Sequence, residues 1–220
     1  MLHANLRQTI AKVATGPHGR NVLWGSIALD LAPIPNYLIR SVPHSEGVMS
    51  LPKDVKAAGD GMLTFSFVPE LQALRDGASA WHASNLPANT TFGISGLQLE
   101  LLVTFGLSCG AASPSAFGLR FSGEKCAVDV GYDPSKNELY TSRSSGGVGH
   151  QIAVPHTLVA GEALQMHVFL DGPILEVIAN GRSPSEAQVW PVPASMDVGA
   201  FGPCEVSKIA AWRLRSIHQG

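Results

Sequence analysis

The 220-residue chain lacks any apolar run long enough to cross a membrane, and it lacks an excess of charge of either sign. A spanning helix needs about 20 consecutive apolar residues. Arg7 and Lys12 interrupt the first 15 residues, where a secretory signal would require a continuous apolar stretch. With 15 basic and 17 acidic residues, the formal net charge is -2, so no broad basic surface is expected. We expect no nucleic-acid partner and no membrane partner, and a cytoplasmic location is favoured over export.

Cysteine is scarce and irregularly placed. Cys109, Cys126 and Cys204 are an odd number at wide spacing, which fits neither a disulfide framework nor a zinc site. The chain has 8 histidines, but no pair of them has a metal-ligand spacing on a recognisable element. The glycine-rich stretch at residues 144–149 precedes no helix and lacks the lysine of a phosphate-binding loop. The sequence therefore predicts no metal site and no cofactor.

Apolar and polar residues alternate with a period of two through much of the chain after residue 75. The clearest case is Leu97 to Phe105, where the apolar residues lie at every second position. Residues 164–179 resemble two such strands joined at Asp171-Gly172, since glycine, and to a lesser degree aspartate, tolerates the positive φ of a tight hairpin turn. Many short strands separated by Gly and Pro predict an all-β fold. This pattern is typical of a β-sandwich or a β-barrel. Of the two, we expect two antiparallel sheets packed as a β-sandwich of the concanavalin or lectin type.

The first 75 residues differ from the rest of the chain. Residues 1–14 have a weak helical periodicity that predicts a short helix. Three prolines between residues 33 and 43 interrupt the strands expected over residues 22–51, because proline lacks the N–H donor that a central strand needs. We therefore predict an N-terminal segment over residues 1–75 and a sandwich domain over residues 76–220.

Polar residues of the predicted hairpin and several dispersed segments carry a family resemblance. Asp171, Glu176 and Asn180 match an Asp-x-Ser-x-x-Glu-x-Phe-x-Asn pattern, with Pro173 in place of the serine and Ile178 in place of the aromatic residue. Further segments match in the same order: Leu23–Gly25, Gly47–Lys53, Phe67–Leu71, Val130–Pro134, Ser142–Ser145 and Ala211–Ile217. Together they resemble the closing half of the invertase, levanase and inulinase family, glycoside hydrolase family 32. The resemblance implies that residues 1–75 are the last strands of a five-bladed catalytic β-propeller and the linker leading out of it.

The catalytic motifs of that family do not occur in this chain. Hydrolysis of a fructoside with retention needs two carboxyl groups flanking the scissile bond. In the family these lie in an Asn-Asp-Pro-Asn-Gly motif and a Glu-Cys pair, and an Arg-Asp-Pro triplet holds the sugar. Here Arg75-Asp76 is followed by Gly77, and Cys204-Glu205 has the reverse order. We predict no catalytic residue and no glycosidase activity from this chain alone.

Two groups of residues are candidates for ligand contacts. Asp171, Glu176 and Asn180 either pin the hairpin through backbone hydrogen bonds or face a sugar hydroxyl. Aromatic rings stack on sugar rings and arginine donates to hydroxyls, which gives a second group: Trp81, Tyr132, Tyr140, Arg143 and Trp190. Core packing is the competing explanation for the second group, because no periodicity assigns its members to one surface.

Three functional hypotheses follow from the sequence. The first is a non-catalytic β-sandwich module related to the β-fructofuranosidases, which binds a fructose-containing saccharide or serves in assembly. The second is one segment of an active β-fructofuranosidase whose catalytic propeller is missing from this chain. The third is a homo-oligomerising structural module, since a propeller remnant would expose edges that a second copy in a homodimer could cover.

Overall fold

The computed structural model describes residues 8–16, 19–28, 47–109, 113, 115–145, 148–189 and 192–216. The chain divides into two compact units, one within residues 6–68 and the other within residues 69–220. We call them the N-terminal unit and the sandwich unit. In the described ranges, helical residues are confined to short 3-10 turns, among them Pro69–Leu74, Gly77–Ser79 and Leu107–Cys109. None of these helices has the length and apolar composition that crossing a membrane requires.

The N-terminal unit contains one antiparallel sheet. Its strands are β1 (Gln8–Thr15), β2 (Asn21–Ala28), β3 (Gly47–Met49), β4 (Lys53–Ala57) and β5 (Leu63–Phe67). They lie in the order β1-β2-β4-β5, and β3 pairs with β2. The helix predicted for residues 1–14 is wrong over the described residues from position 8, because β-branched residues such as Ile10 and Val13 favour the extended backbone of β1. The three prolines lie outside the described residues, and the derivation of this unit from a propeller stays a prediction.

The sandwich unit contains two six-stranded antiparallel sheets. Its strands are β6 (Trp81–Leu86), β7 (Thr91–Gly96), β8 (Gln98–Phe105), β9 (Phe117–Ser122), β10 (Cys126–Asp133), β11 (Glu138–Ser145), β12 (Val148–Pro155), β13 (Gln165–Asp171), β14 (Ile174–Ala179), β15 (Ser183–Gln188), β16 (Met196–Phe201) and β17 (Val206–Arg213). Sheet 1 has the order β15-β14-β13-β8-β17-β6, and sheet 2 has the order β12-β11-β10-β9-β16-β7. The predicted antiparallel β-sandwich is confirmed.

The inner faces of the two sheets share one hydrophobic core. The two-residue period of β8 buries Leu99, Leu101 and Val103 and turns the intervening residues to the outer face. Aromatic rings fill the centre, where the Phe105 and Phe117 centroids lie 5.2 Å apart in an edge-on arrangement. Polar residues that could contact a ligand therefore lie on the outer faces of the sheets and in the turns.

The hairpin predicted near Asp171 is present, but its turn is displaced by one residue. Asp171 is the last residue of β13 and pairs with Ile174, so Gly172 and Pro173 form the two-residue loop. Gly172 has φ +56, which suits the first central position of a type II′ turn. The next hairpin turns at Asn180, whose positive φ of 47 fits a type I′ turn.

Candidate functional site

A buried carboxylate on sheet 1 binds residues 69–76, which open the sandwich unit. We call these residues the entering segment. Glu100 lies on the outer face of β8 and is 0% exposed. Arg75, which follows the 3-10 turn Pro69–Leu74, donates to both of its oxygens, from Nε to Oε2 at 2.7 Å and from Nη2 to Oε1 at 2.6 Å. The neighbouring strand β13 places Nε2 of His167 2.9 Å from Oε1. Such a two-pronged arginine–carboxylate pair is strong and directional.

An aromatic residue and the backbone complete this attachment. The Arg75 guanidinium lies 3.9 Å from the ring centroid of Trp212, which is the cross-strand neighbour of Glu100 on β17. The Asp76 N–H donates to the Arg213 carbonyl at 2.9 Å. We call Arg75, Glu100, His167 and Trp212 the clamp. Its members join the entering segment to three central strands of sheet 1.

Electrostatics keep the clamp carboxylate ionised. Burial alone raises the pKa of Glu100, but the hydrogen bonds and charges of Arg75 and His167 outweigh burial and hold that pKa below its usual value. An ionised carboxylate that is occupied by two partners has no proton to give to a leaving group. The arrangement therefore suits attachment and not acid catalysis.

The structure does not bring Asp171, Glu176 and Asn180 together. Asp171 and Asn180 lie at opposite ends of β14, about 20 Å apart at 3.4 Å per residue, and burial raises the pKa of Asp171. Asn180 belongs to a turn, where it accepts from the Gln165 N–H at 3.1 Å and donates to Glu162 at 3.0 Å. These contacts tie the turn between β14 and β15 to residues 162–165 at the start of β13.

Glu176 lies on the outer face of β14 between Phe169 and Glu186. Glu176 is 3% exposed and Glu186 is 4% exposed. A glycosidase pair must contact a sugar between its two carboxyl groups, and carboxylates this buried offer a substrate no access.

The five aromatic and arginine candidates are scattered. Tyr132 is fully buried in the core, with its ring edge-on to His156. Trp81 is half-buried and packs on Phe92 at 5.6 Å. Arg143 is half-buried on the core side of β11, and its Nε is a buried donor without an acceptor among the described residues. Trp190 lies outside the described residues.

Among the described candidates, Tyr140 has charged and aromatic neighbours in the same sheet. The sequence analysis did not identify these neighbours. On the adjacent strands Arg120 donates to both oxygens of Asp129 at 2.7 Å. The Arg120 guanidinium also lies 5.5 Å from the ring centroid of Phe201. Burial, and then the charges of Asp129 and Asp133, raise the pKa of Tyr140 to about 12, so its phenol stays neutral. We call Tyr140, Arg120, Asp129 and Phe201 the Tyr140 patch.

Some further titratable groups stabilise loops of the sandwich unit. Arg182 donates to Glu162 at 2.9 Å beside the Asn180 turn. His156 is buried with Nδ1 2.9 Å from the Ser183 hydroxyl, and burial followed by the nearby charge of Arg182 lowers the pKa of His156 to about 4. Among the residues that the structure describes, no group of three or more His, Cys, Asp and Glu side chains has the arrangement of a metal site.

Solved structures that superimpose on this chain include two hydrolases and a galectin. An exo-inulinase from Aspergillus awamori is 17% identical and superimposes with a TM-score of 0.68 over 94% of this chain and 43% of that chain. A sucrose-6-phosphate hydrolase from Lactobacillus gasseri is 16% identical, with a TM-score of 0.65 over 94% of this chain and 41% of that chain. A galectin from Caenorhabditis elegans is 10% identical, with a TM-score of 0.51 over 59% of this chain and 94% of that chain.

At these identities the similarity shows the fold. This chain spans less than half the length of the two hydrolases. No curated protein matches it. The family model for the C-terminal region of glycosyl hydrolases family 32 matches residues 70–213, which is well over half of the chain. The chain therefore belongs to glycoside hydrolase family 32, of which it carries the C-terminal β-sandwich domain.

Proposed function

We propose that the sandwich unit is a non-catalytic support module of a fructoside-hydrolysing protein, and that the clamp fastens the entering segment to it. The observation that carries the proposal is the burial of Glu100 under a two-pronged bond from Arg75. An isolated buried carboxylate is costly, so sheet 1 is most stable when the segment carrying Arg75 is docked. Docking of the segment and folding of the sheet are thereby coupled.

The distribution of carboxylates supports a role without catalysis. Four of them are occupied by ion pairs that fix strands, turns or loops: Glu100 with Arg75, Asp129 with Arg120, Asp133 with Lys136, and Glu162 with Arg182. Glu176 and Glu186 are shielded from substrate by burial. None of the three catalytic motifs of the family occurs in the sequence.

Hydrogen exchange tests the attachment. The Asp76 N–H donates to the Arg213 carbonyl and the Arg215 N–H to the Leu74 carbonyl, so both amides report on docking of the segment. In Arg75→Met we expect peptides that contain these two amides to exchange at least tenfold faster, over exchange times at which peptides from β10 stay protected. Arg182→Met, which removes an arginine–glutamate pair elsewhere in the unit, is the matched control. Equal exchange in the parent chain and Arg75→Met would contradict the proposal.

A second candidate function is that of one segment of an active β-fructofuranosidase. It is favoured by the coverage, since 94% of this chain aligns with less than half of the exo-inulinase. The coding DNA upstream of this chain tests it. An Asn-Asp-Pro-Asn-Gly codon run in the same or a neighbouring reading frame is expected, and its absence would contradict this candidate.

A further inference from the structure

The outer face of sheet 2 has a floor without side chains at its centre. Strand pairing places Tyr140 opposite Gly131, Gly131 opposite Gly118, and Gly118 opposite Phe201. Two aromatic residues therefore flank two adjacent glycines. Three strand spacings of about 4.8 Å separate the backbones of β11 and β16, which makes the face about 14 Å wide.

The two glycines are required for this shape, for different reasons. A Cβ on Gly131 would lie 2.4 Å from Cζ of Tyr140, so the tyrosine ring lies over the backbone of β10. A Cβ on Gly118 would lie 2.1 Å from the backbone oxygen of Val130, so no side chain can occupy that position. The result is a floor of backbone in which both glycines are buried, because the Tyr140 ring covers Gly131. Phe201 lies beyond Gly118 on the next strand.

Polar groups adjoin the floor in the next row of the sheet. Arg120 and Asp129 form a fork that uses Nε and Nη2 of the arginine and both carboxylate oxygens. A guanidinium has five N–H donors and a carboxylate about four lone-pair sites, so donors and acceptors are left on adjacent atoms. The side chain of Arg120 is 53% exposed. Two neighbouring hydroxyls, each of which donates and accepts, match this fork.

We propose that the Tyr140 patch binds a neutral saccharide. An apolar face of the sugar ring lies against the Tyr140 ring, and two adjacent hydroxyls of the sugar bind the Arg120–Asp129 fork. The fork has no net charge, which favours an uncharged polyol over a phosphate or carboxylate ligand. Aromatic stacking supplies affinity and the charged hydrogen bonds supply orientation. This binding is independent of the support function, because the patch lies on sheet 2 and the clamp on sheet 1.

Titration calorimetry on the 220-residue chain tests the proposal with sucrose, inulin, levan and lactose as separate probes. Arg120→Met removes the fork, and Gly131→Ala displaces the Tyr140 ring without removing it. Lys136→Met is the matched control, since it deletes a lysine from an exposed aspartate pair in a turn of the same sheet. Thermal unfolding of each variant verifies that it is folded.

We expect saturable binding of at least one probe by the parent chain and by Lys136→Met. Both Arg120→Met and Gly131→Ala should weaken it at least tenfold, which corresponds to about 1.4 kcal/mol. The proposal is overturned if no probe binds up to its solubility limit. It is also overturned if both patch variants bind as tightly as the parent. Should Gly131→Ala unfold, Tyr140→Ala replaces it, with a loss of affinity expected from the missing ring and unchanged affinity counting against the patch.

Discussion

Replacing Arg75 with methionine should destabilise the sandwich unit far more than removing an ordinary surface arginine. The substitution leaves Glu100, which is 0% exposed, with His167 as its remaining clamp partner. Methionine keeps an apolar chain against Trp212 but loses the cation that lies 3.9 Å from the indole centroid. The main cost is thus a buried carboxylate without its principal counter-charge.

The structure sets the size of this cost. Breaking a buried ion pair by removing one partner costs about 3–5 kcal/mol. The Arg75 side chain is 20% exposed, so water can partly replace it and the lower end, about 3 kcal/mol, is expected. For a unit of this size each kcal/mol lowers Tm by about 2–4 °C, which gives a decrease of about 6–12 °C. Arg182→Met, which breaks an exposed pair, should cost less than about 1 kcal/mol.

A double substitution separates the buried-charge explanation from simple loss of contacts. Arg75→Met combined with Glu100→Met replaces both charges by apolar chains, which is often nearly neutral at a buried pair. We therefore expect the double variant to be more stable than Arg75→Met alone, as measured by urea unfolding followed by circular dichroism. The reasoning is refuted if Arg75→Met costs no more than Arg182→Met, or if the double variant is less stable than either single variant.

Three further predictions concern the core and the turns. The pKa of His156 is lowered to about 4 against about 6.5 in an unfolded chain, so the unfolded state binds the extra proton. Stability should decrease by about 3 kcal/mol as the pH falls from about 6.5 to about 4. His156→Gln should flatten that part of the urea-unfolding profile, and an unchanged slope would contradict the assignment. Burial, and then Cys109, raise the pKa of the Cys204 thiol to about 12. A thiol reagent at pH 8 should therefore modify it only after urea is added, and rapid labelling of the native chain would show that the thiol is accessible. Gly118→Ala should destabilise by more than about 3 kcal/mol because the new methyl group meets backbone, whereas Gly131→Ala meets only the end of a side chain; equal thermal stability of the two variants would be the contrary result.

The sequence pattern predicted the central strands better than the edge strands. The alternation at Leu97–Phe105 corresponds to β8, which has neighbours on both sides and buries every second residue. In the sandwich unit, β6, β7 and β12 lie where the pattern predicted no strand, and each is the edge of a sheet. An edge strand packs against one neighbour, so polar and small residues such as Ser84 and Gly93 are tolerated and the alternation weakens.

The clamp could not be predicted from local spacing. Arg75 is 25 residues from Glu100, and His167 is 67 residues from it. Only the pairing of β8 with β13 and β17 brings the partners together. The alternation around Asp171-Gly172 predicted the β13–β14 hairpin, whose turn lies one residue further on. The contacts of Asn180 are those of a turn.

The Tyr140 patch could be predicted from the sequence only in part. Tyr140 was chosen from the sequence for its ring alone. Arg120 and Asp129 become its neighbours through the register of the β9–β10 hairpin, which places residues of opposite charge directly across from each other. The same register places Gly118 opposite Gly131, whereas Phe201 joins the patch only through the pairing of β9 with β16.

The most direct test of the account is the release of fructose by the purified 220-residue chain. The chain is incubated separately with sucrose, inulin and levan, and free fructose is measured against a buffer blank. The account predicts no release above the blank, because the catalytic motifs of the family are missing from the sequence and Glu176 and Glu186 are buried. Release that is abolished by Glu176→Gln or Glu186→Gln would contradict it.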